Sequence, residues 1–160
     1  MSKRSSRSKK SPAPPPSTKR AEKLKAKTFS YRATEPGRPL KPGIPIVVHG
    51  LSGRVPMYGL IDSGADVALF PRGIAASLGI DINKCRRETC DTAGGPAYQY
   101  VWDKGVEIEV QQVKVRFKTK ASFSDGLPSR VVLLGREDFF SEFRVAIDER
   151  AKAFTLDPYM

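Results

Sequence analysis

A polar tripeptide between two apolar runs constrains this chain more than any other feature. Asp62, Ser63 and Gly64 follow the apolar pair Leu60 and Ile61 directly, and residues 67–70 are apolar again. A carboxylate among apolar residues is costly unless it is paired or hydrogen-bonded, so such a position is more often functional than decorative. The pattern predicts a buried strand that ends at Asp62, a tight turn, and a second buried strand.

The flanking segments predict a hairpin before this turn and a helix after it. Residues 44–50 and 55–61 form strands around a turn at residues 50–53, and this hairpin directs Asp62 into its turn. Residues 71–79 are predicted to form a short helix, with proline at its first position and glycine at its end. Its core face is formed by Ile74, Ala75 and Leu78.

The rest of the chain has the alternation of short β-strands. Residues 86–103 predict two arms around a turn at residues 93–96, with Tyr98, Tyr100 and Trp102 on one face. Residues 105–119 alternate apolar and polar side chains, with a phase shift at Gln111 and Gln112 that indicates a tight turn or bulge. The later segments are a loop over 122–129, a central strand over 130–134, a short helix over 136–143, and a hairpin of 144–148 with 153–157.

Two of these elements together resemble the retropepsin-like aspartic proteases. In that family a strand ends in Asp-Thr/Ser-Gly-Ala, as it does here at Asp62, and a later apolar run ends in a glycine turn before a short helix, as in residues 131–140. Glu137 stands where the family pattern has an aspartate. The resemblance covers residues 44–157 and is typical of a single-domain cellular form, such as a bacterial one. It implies an all-β, small closed barrel with one or two short helices that forms a homodimer.

The resemblance also implies an aspartic endopeptidase that acts on polypeptides. This chemistry needs two carboxylates that share one proton. Two other tripeptides in the chain do not qualify, because residues 91–93 (Asp-Thr-Ala) lack the glycine and residues 124–126 (Ser-Asp-Gly) reverse the order. One motif per chain therefore requires a homodimer in which Asp62 of each subunit meets at a two-fold axis.

The resemblance assigns a role to each site residue. Asp62 activates the water, Ser63 braces the two loops across the dimer axis, and Gly64 lets backbone N–H groups approach the carboxylate. Asp66 pairs with Arg136 and binds substrate main chain, with a purely structural ion pair as the alternative. The hairpin of residues 86–103 is the flap, or else an ordinary exposed hairpin. The implied substrate-binding residues are Ala65, Asp66, Thr92, Ala93, Gly94, Gly95 and Arg136.

The basic residues concentrate at the N-terminus. Of the formal net charge of +11, residues 1–30 contribute +9, from ten Lys or Arg and the single acid Glu22. We predict a disordered Ser/Pro-rich tail over residues 1–40 and a protease domain over 41–160. The tail is either a solubilising segment or an arm that weakly contacts nucleic acid, ribosome or an acidic membrane surface, and a mitochondrial presequence is a lesser alternative.

Other classes of protein fit the sequence poorly. No apolar run reaches membrane-spanning length, and no secretory signal is expected. A serine or cysteine nucleophile would need a histidine base, and the one histidine, His49, is predicted to be a strand residue with a satisfied ring. Cys85 and Cys90 indicate free thiols in a cytoplasmic protein, or a local bridge. Neither a zinc site nor a phosphate-binding loop is present, so no cofactor or metal is implied.

A second function class stays open at this point. The chain could be a catalytically silent retropepsin-like dimerisation or binding module whose basic tail contacts nucleic acid or ribosome, since fold and activity can part company. The joint presence of Asp62, the flap-like hairpin and Arg136 favours the enzyme, because a silent module has no reason to keep the carboxylate.

Overall fold

The protein is mostly β-structure, as predicted. The computed structural model describes residues 24–92 and 94–159. The one α-helix of the described residues is α1, Phe139–Glu142. The strands are β1 Lys27–Ser30, β2 Gly43–His49, β3 Arg54–Ile61, β4 Leu69–Pro71, β5 Arg86–Thr92, β6 Gly95–Val110, β7 Val115–Ser124, β8 Val131–Leu134, β9 Phe143–Asp148 and β10 Ala153–Pro158.

Six strands close into a small barrel, which confirms the predicted fold class. Their order is β2-β3-β8-β4-β7-β6, and β6 pairs with β2 to complete the ring. The pairs β3–β8 and β4–β7 are parallel, and the remaining pairs are antiparallel. The predicted central strand is β8, where Val132 and Leu134 are completely buried. Strand β8 pairs with β3 along one edge and with β4 along the other. Its pairing with β3 runs to Ile61, the last residue of β3, and so fixes where that strand ends.

A second, three-stranded sheet corrects the predicted domain boundary. Its order is β1-β10-β9, so the predicted C-terminal hairpin is confirmed and gains a partner from the N-terminal region. Phe29 stacks on Phe154 with ring centroids 5.4 Å apart, and Tyr31 is buried. The assignment of residues 1–40 to a disordered tail is therefore wrong from Lys27 onward. Residues 1–23 lie outside the described part of the chain, and disorder there stays a prediction.

The flap-like hairpin is continuous with the barrel wall. The strands β5 and β6 pair from Arg86↔Val101 to Thr92↔Gly95, and β6 then runs on as one strand to Val110. A bulge interrupts its pairing with β7 between Trp102 and Val106, rather than the strand ending there as predicted. The three rings share a face as predicted, and their exposure falls from 57% at Tyr98 to 9% at Trp102.

Three local predictions need correction. Residues 71–79 form two 3-10 turns, Arg72–Ile74 and Ala76–Leu78, instead of one helix, and Pro71 ends β4. Gly73 within so short a segment disfavours a continuous α-helix. The predicted core face of the segment is nevertheless buried. Residues 122–124 belong to β7 because they pair with β4. The predicted helix over 136–143 shortens to α1, because Phe143 pairs with Pro158 instead.

The predicted phase shift at Gln111 and Gln112 is confirmed. A 3-10 turn spans Gln111–Val113, and Lys114 after it has a φ of 56°. The turn reverses the chain between β6 and β7, which then pair antiparallel. Val110 and Val113 are both buried, so the apolar face continues across the reversal.

Candidate active site

Asp62 lies where the central strand pair ends. Ile61 is paired with Leu134 across the parallel β3–β8 ladder, and the next amide, that of Asp62, donates to the Leu134 carbonyl at 3.2 Å. Ile61 and Leu134 are buried in the core, whereas Asp62 is half-buried and Ser63 is exposed. The core thus fixes the backbone of Asp62, while its carboxylate stands at the surface of a single chain.

The turn after Asp62 folds back onto the carboxylate. The Gly64 amide donates to Asp62 Oδ1 at 2.9 Å, and the Ala65 amide donates to the Asp62 carbonyl at 3.2 Å. A Cβ at position 64 would lie only 3.2 Å from Asp62 Oδ1. Glycine therefore lets a backbone donor approach the carboxylate, and its part in catalysis stays a prediction.

A second segment, residues 135–138, locks this turn in place. The Arg136 amide donates to the Ala65 carbonyl at 3.0 Å, and the Glu137 amide donates to the Asp66 carbonyl at 2.7 Å. A Cβ at Gly135 would lie 2.6 Å from the backbone of Val67. Only glycine permits the two chain segments to cross this closely. The two sequence elements that carry the family resemblance are therefore in direct contact.

Asp66 and Arg136 form an ion pair beside this crossing. The Arg136 guanidinium contacts the Asp66 carboxylate, and the side chains are 59% and 68% exposed. An ion pair this exposed contributes little to the free energy of folding. Both groups therefore stay accessible to a ligand, and their part in binding substrate main chain stays a prediction.

Asp138 is a site residue that the sequence analysis missed. Its carboxylate Oδ2 accepts the Ala68 amide at 2.9 Å, in a partly buried contact. It follows directly after Glu137, the position at which this sequence departs from the family pattern. Buried N–H groups need acceptors, but the sequence does not show that a carboxylate seventy residues away supplies this one.

The hydrogen bonds found for the described residues of the hairpin tip lie within the hairpin. The Thr92 hydroxyl accepts the Gly94 amide at 3.2 Å and donates to the Gly95 carbonyl at 2.6 Å, while Gly95 has a φ of 104°. Ala93 lies outside the described residues. Between residues 62–66 and the described tip residues, no hydrogen bond or ion pair is found within one chain. The predicted site residues thus form two groups.

The competing nucleophile and metal sites have no support in the described residues. His49 Nε2 lies 2.7 Å from Glu109 Oε2, and both side chains are largely buried, so the predicted satisfied strand histidine is confirmed. The hydrogen bond to His49 holds the pKa of Glu109 below its usual range. Cys85 and Cys90 are unpaired, and burial raises the pKa of the Cys85 thiol.

The described residues include no group of three His, Cys, Asp or Glu able to hold a metal ion. Within the same ranges, no helix is long and apolar enough to cross a membrane.

The comparisons with known proteins identify the fold. No protein-family model matches the chain, and no curated protein matches its sequence. The structure is similar to that of a retropepsin-like aspartic protease from Rickettsia conorii, with a TM-score of 0.57, 18% identity, and coverage of 82% of this chain and 98% of that chain. It also matches EIAV protease complexed with the inhibitor HBY-793, with a TM-score of 0.43, 20% identity, and coverage of 66% and 89%.

This chain therefore has a retropepsin-like fold, as the resemblance in its sequence predicted. The likeness to the Rickettsia conorii protein extends over almost the whole of that structure. At 18% identity this likeness establishes the fold alone.

Proposed function

We propose that this protein is an aspartic endopeptidase whose Asp62 carboxylate activates the water that attacks a peptide bond. The observation that carries the proposal is the setting of Asp62 on a retropepsin-like fold. Its backbone is fixed by Leu134, and its Oδ1 accepts the amide of Gly64. A carboxylate that is held in one position at the surface favours a catalytic role over a role in core packing.

The second carboxylate comes from a second copy of the chain. Proton sharing needs two carboxyl groups in contact. The other two candidate motifs are in different settings, since Asp91 is exposed on β5 and Asp125 forms an ion pair with Arg72. We therefore assign the active form as a homodimer in which two Asp62 carboxylates share one proton.

The outer edge of β9 offers a surface for this second copy. Among the described residues β9 pairs with β10 alone, which leaves its other edge open. Ile147 stands opposite the buried Phe154 and is 47% exposed, although it faces the apolar side of the sheet. An open edge with an uncovered apolar side chain favours association with another chain. This favours a contribution of the C-terminal hairpin to the dimer.

The substrate is a polypeptide bound between the two groups of site residues. Asp66 and Arg136 are exposed beside the Asp62 turn and provide an acceptor and a donor for an extended main chain. The hairpin tip at residues 92–95 closes over the bound peptide and excludes water from the carboxylates.

Cleavage of a peptide library, with the solution mass of each protein recorded, tests this function. Asp62→Asn keeps the size of the side chain and removes the shared proton, so we expect a folded dimer with at least about a thousand-fold lower kcat. Asp91→Asn is the matched control and should cleave like the wild type. A wild-type dimer that cleaves no peptide between mildly acidic and neutral pH would contradict the proposal and favour the silent binding module.

A further inference from the structure

The flap-like hairpin leaves the barrel at one residue, Tyr100. From Tyr100 onward β6 pairs with β7, beginning with Tyr100↔Phe123 and Val101↔Ser122. Toward the tip, residues 95–99 pair only with β5 within the described part of the chain. We call Tyr100 and Val101, with their partners Ser122 and Phe123, the hairpin root. The direction in which the hairpin leaves the barrel is set at this root.

Arg72 joins the root to the barrel. Its guanidinium carbon lies 4.7 Å from the centroid of the Tyr100 ring. Its Nη1 lies 3.3 Å from Asp125 Oδ2, just beyond the end of β7. Arg72 follows β4 directly and therefore belongs to the barrel, whereas the Tyr100 ring belongs to the strand that carries the hairpin. The Tyr100 side chain also packs against the barrel core, so the Arg72 contact lies at the point where the hairpin leaves the barrel.

We propose that Arg72 is a positioning residue that holds the hairpin at its root in the orientation needed over Asp62. Its consequence for peptide cleavage rests on the function proposed above. Asp125 orients the guanidinium, and the planar guanidinium stacks on the ring, which a lysine ammonium cannot do. Arg72 itself does not touch the reacting atoms.

The residues that hold this contact are open to solvent. The Arg72 side chain is 41% exposed and that of Asp125 is 68% exposed, so both interactions are weakened by solvent. Arg72 and Asp125 also line a cavity of about 580 Å³, which leaves room for the guanidinium to move off the ring. A cation–π contact at an exposed site changes the balance between two states by about two- to five-fold. That is enough to bias a flap without locking it.

A second arginine–tyrosine contact provides an internal control. Arg87 lies 3.8 Å from the centroid of the Tyr98 ring, closer than Arg72 lies to Tyr100. Both of its partners belong to the hairpin, Arg87 on β5 and Tyr98 on β6. Arg87 is also the β5 partner of Tyr100, so it acts on the β5–β6 ladder but makes no such contact with β7. Exchange on the β7 side of the root therefore separates the two arginines.

Amide hydrogen exchange at the root tests the proposal directly, because exchange reports how often the local ladder opens. We expect Arg72→Met, which removes the cation, to speed exchange at Tyr100, Val101 and Phe123 by about two- to five-fold. Arg87→Met should leave the Phe123 amide, on the β7 side of the root, unchanged. Tyr100→Phe keeps the ring and should resemble the wild type. Root exchange that is the same in Arg72→Met as in the wild type would overturn the proposal.

Peptide cleavage gives the second readout. A hairpin that is less often in position should raise KM by a similar two- to five-fold factor in Arg72→Met with kcat little changed, and Tyr100→Phe should keep the wild-type KM. A lower kcat at unchanged KM would contradict a positioning role. The exchange experiment needs no activity and is repeated in Asp62→Asn. A wild type that cleaves nothing, with faster root exchange in Arg72→Met, would therefore reject the proposed function and leave the role of Arg72 at the root supported.

Discussion

The turn that carries Asp62 and the hairpin tip at residues 92–95 were both predicted as parts of one site, yet different bonds hold them. Residues 135–138 cross the turn and are joined to it by backbone hydrogen bonds. The Asp138 carboxylate also accepts a hydrogen bond from the Ala68 amide. For the described residues of the tip, the hydrogen bonds lie within the hairpin, through the Thr92 hydroxyl and the β5–β6 ladder. The Asp62 turn is thus bonded to the core, whereas the described tip residues are bonded to the rest of the hairpin.

This difference matches what the proposed reaction requires. Two carboxylates can share a proton only if their backbones hold them at a fixed separation, so the Asp62 turn has to be rigid. A flap has to open for substrate and product, so its contacts have to be few and weak. The comparison predicts that equivalent substitutions on the two sides have unequal effects on stability.

The largest difference is expected between two glycines. Gly135→Ala places a Cβ 2.6 Å from the Val67 backbone, where no flexible side chain can yield. We expect a loss of about 3 kcal/mol in the free energy of unfolding. Gly94→Ala at the tip meets nothing closer than 3.8 Å and should stay within about 0.5 kcal/mol of the wild type. Chemical denaturation of the two variants measures this, and equal losses would remove the distinction between the two sides.

A smaller difference is expected between two aspartates. Asp138→Ala leaves the Ala68 amide without its acceptor, which costs about 1–3 kcal/mol. Asp91→Ala on the exposed β5 should change stability by no more than about 0.5 kcal/mol. Asp138→Asn keeps an oxygen at the same place and should fall between these values. If Asp138→Ala unfolds at the same denaturant concentration as Asp91→Ala, the carboxylate does not hold the turn.

The smallest effect is a pH dependence at the base of the hairpin. Arg86 donates to Asp103 Oδ1 at 3.0 Å, and this hydrogen bond holds the pKa of Asp103 below its usual range. The carboxylate therefore stabilises the folded state above the unfolded value of about 3.9, and this stabilisation is lost as the pH falls through the lower folded pKa.

The thermal stability of wild type and Asp103→Asn, measured side by side, tests the sign of this effect. The advantage of the wild type should be constant above about pH 5 and should shrink as the pH falls toward about 2. An advantage that persists unchanged at the acid end would show that Asp103 does not act through its charge.

Period-two patterns account for the part of the fold that the sequence predicted well. Apolar alternation gave the β2–β3 hairpin and the β6–β7 reversal at residues 111–113, and a continuous apolar run gave β8. These signals are local, and the core that they imply is the one observed. The helical face over 71–79 was also predicted, but periodicity does not distinguish two 3-10 turns from one short helix.

The missed features depend on contacts between distant parts of the chain. β1 is a polar strand with one ring, Phe29, and its partner Phe154 is near the other end of the sequence. Alternation of Phe29 with Tyr31 after the basic cluster was the only local sign of it. The role of Asp138 follows from an amide seventy positions away, and no sequence spacing indicates that pairing. The Asp62 turn could be predicted because the residues that define it, Asp62, Ser63 and Gly64, are adjacent in the sequence.

Mixed dimers give the most direct test of the central claim, that two Asp62 carboxylates share one site. Wild type and Asp62→Asn are unfolded together in equal amounts, refolded, and assayed for peptide cleavage. If each active site needs Asp62 from both chains, random pairing leaves only about a quarter of the dimers active. Activity should therefore fall to about a quarter of that of the same total amount of wild type. Activity of about one half would mean that each chain works alone, and the shared-proton account would then be wrong.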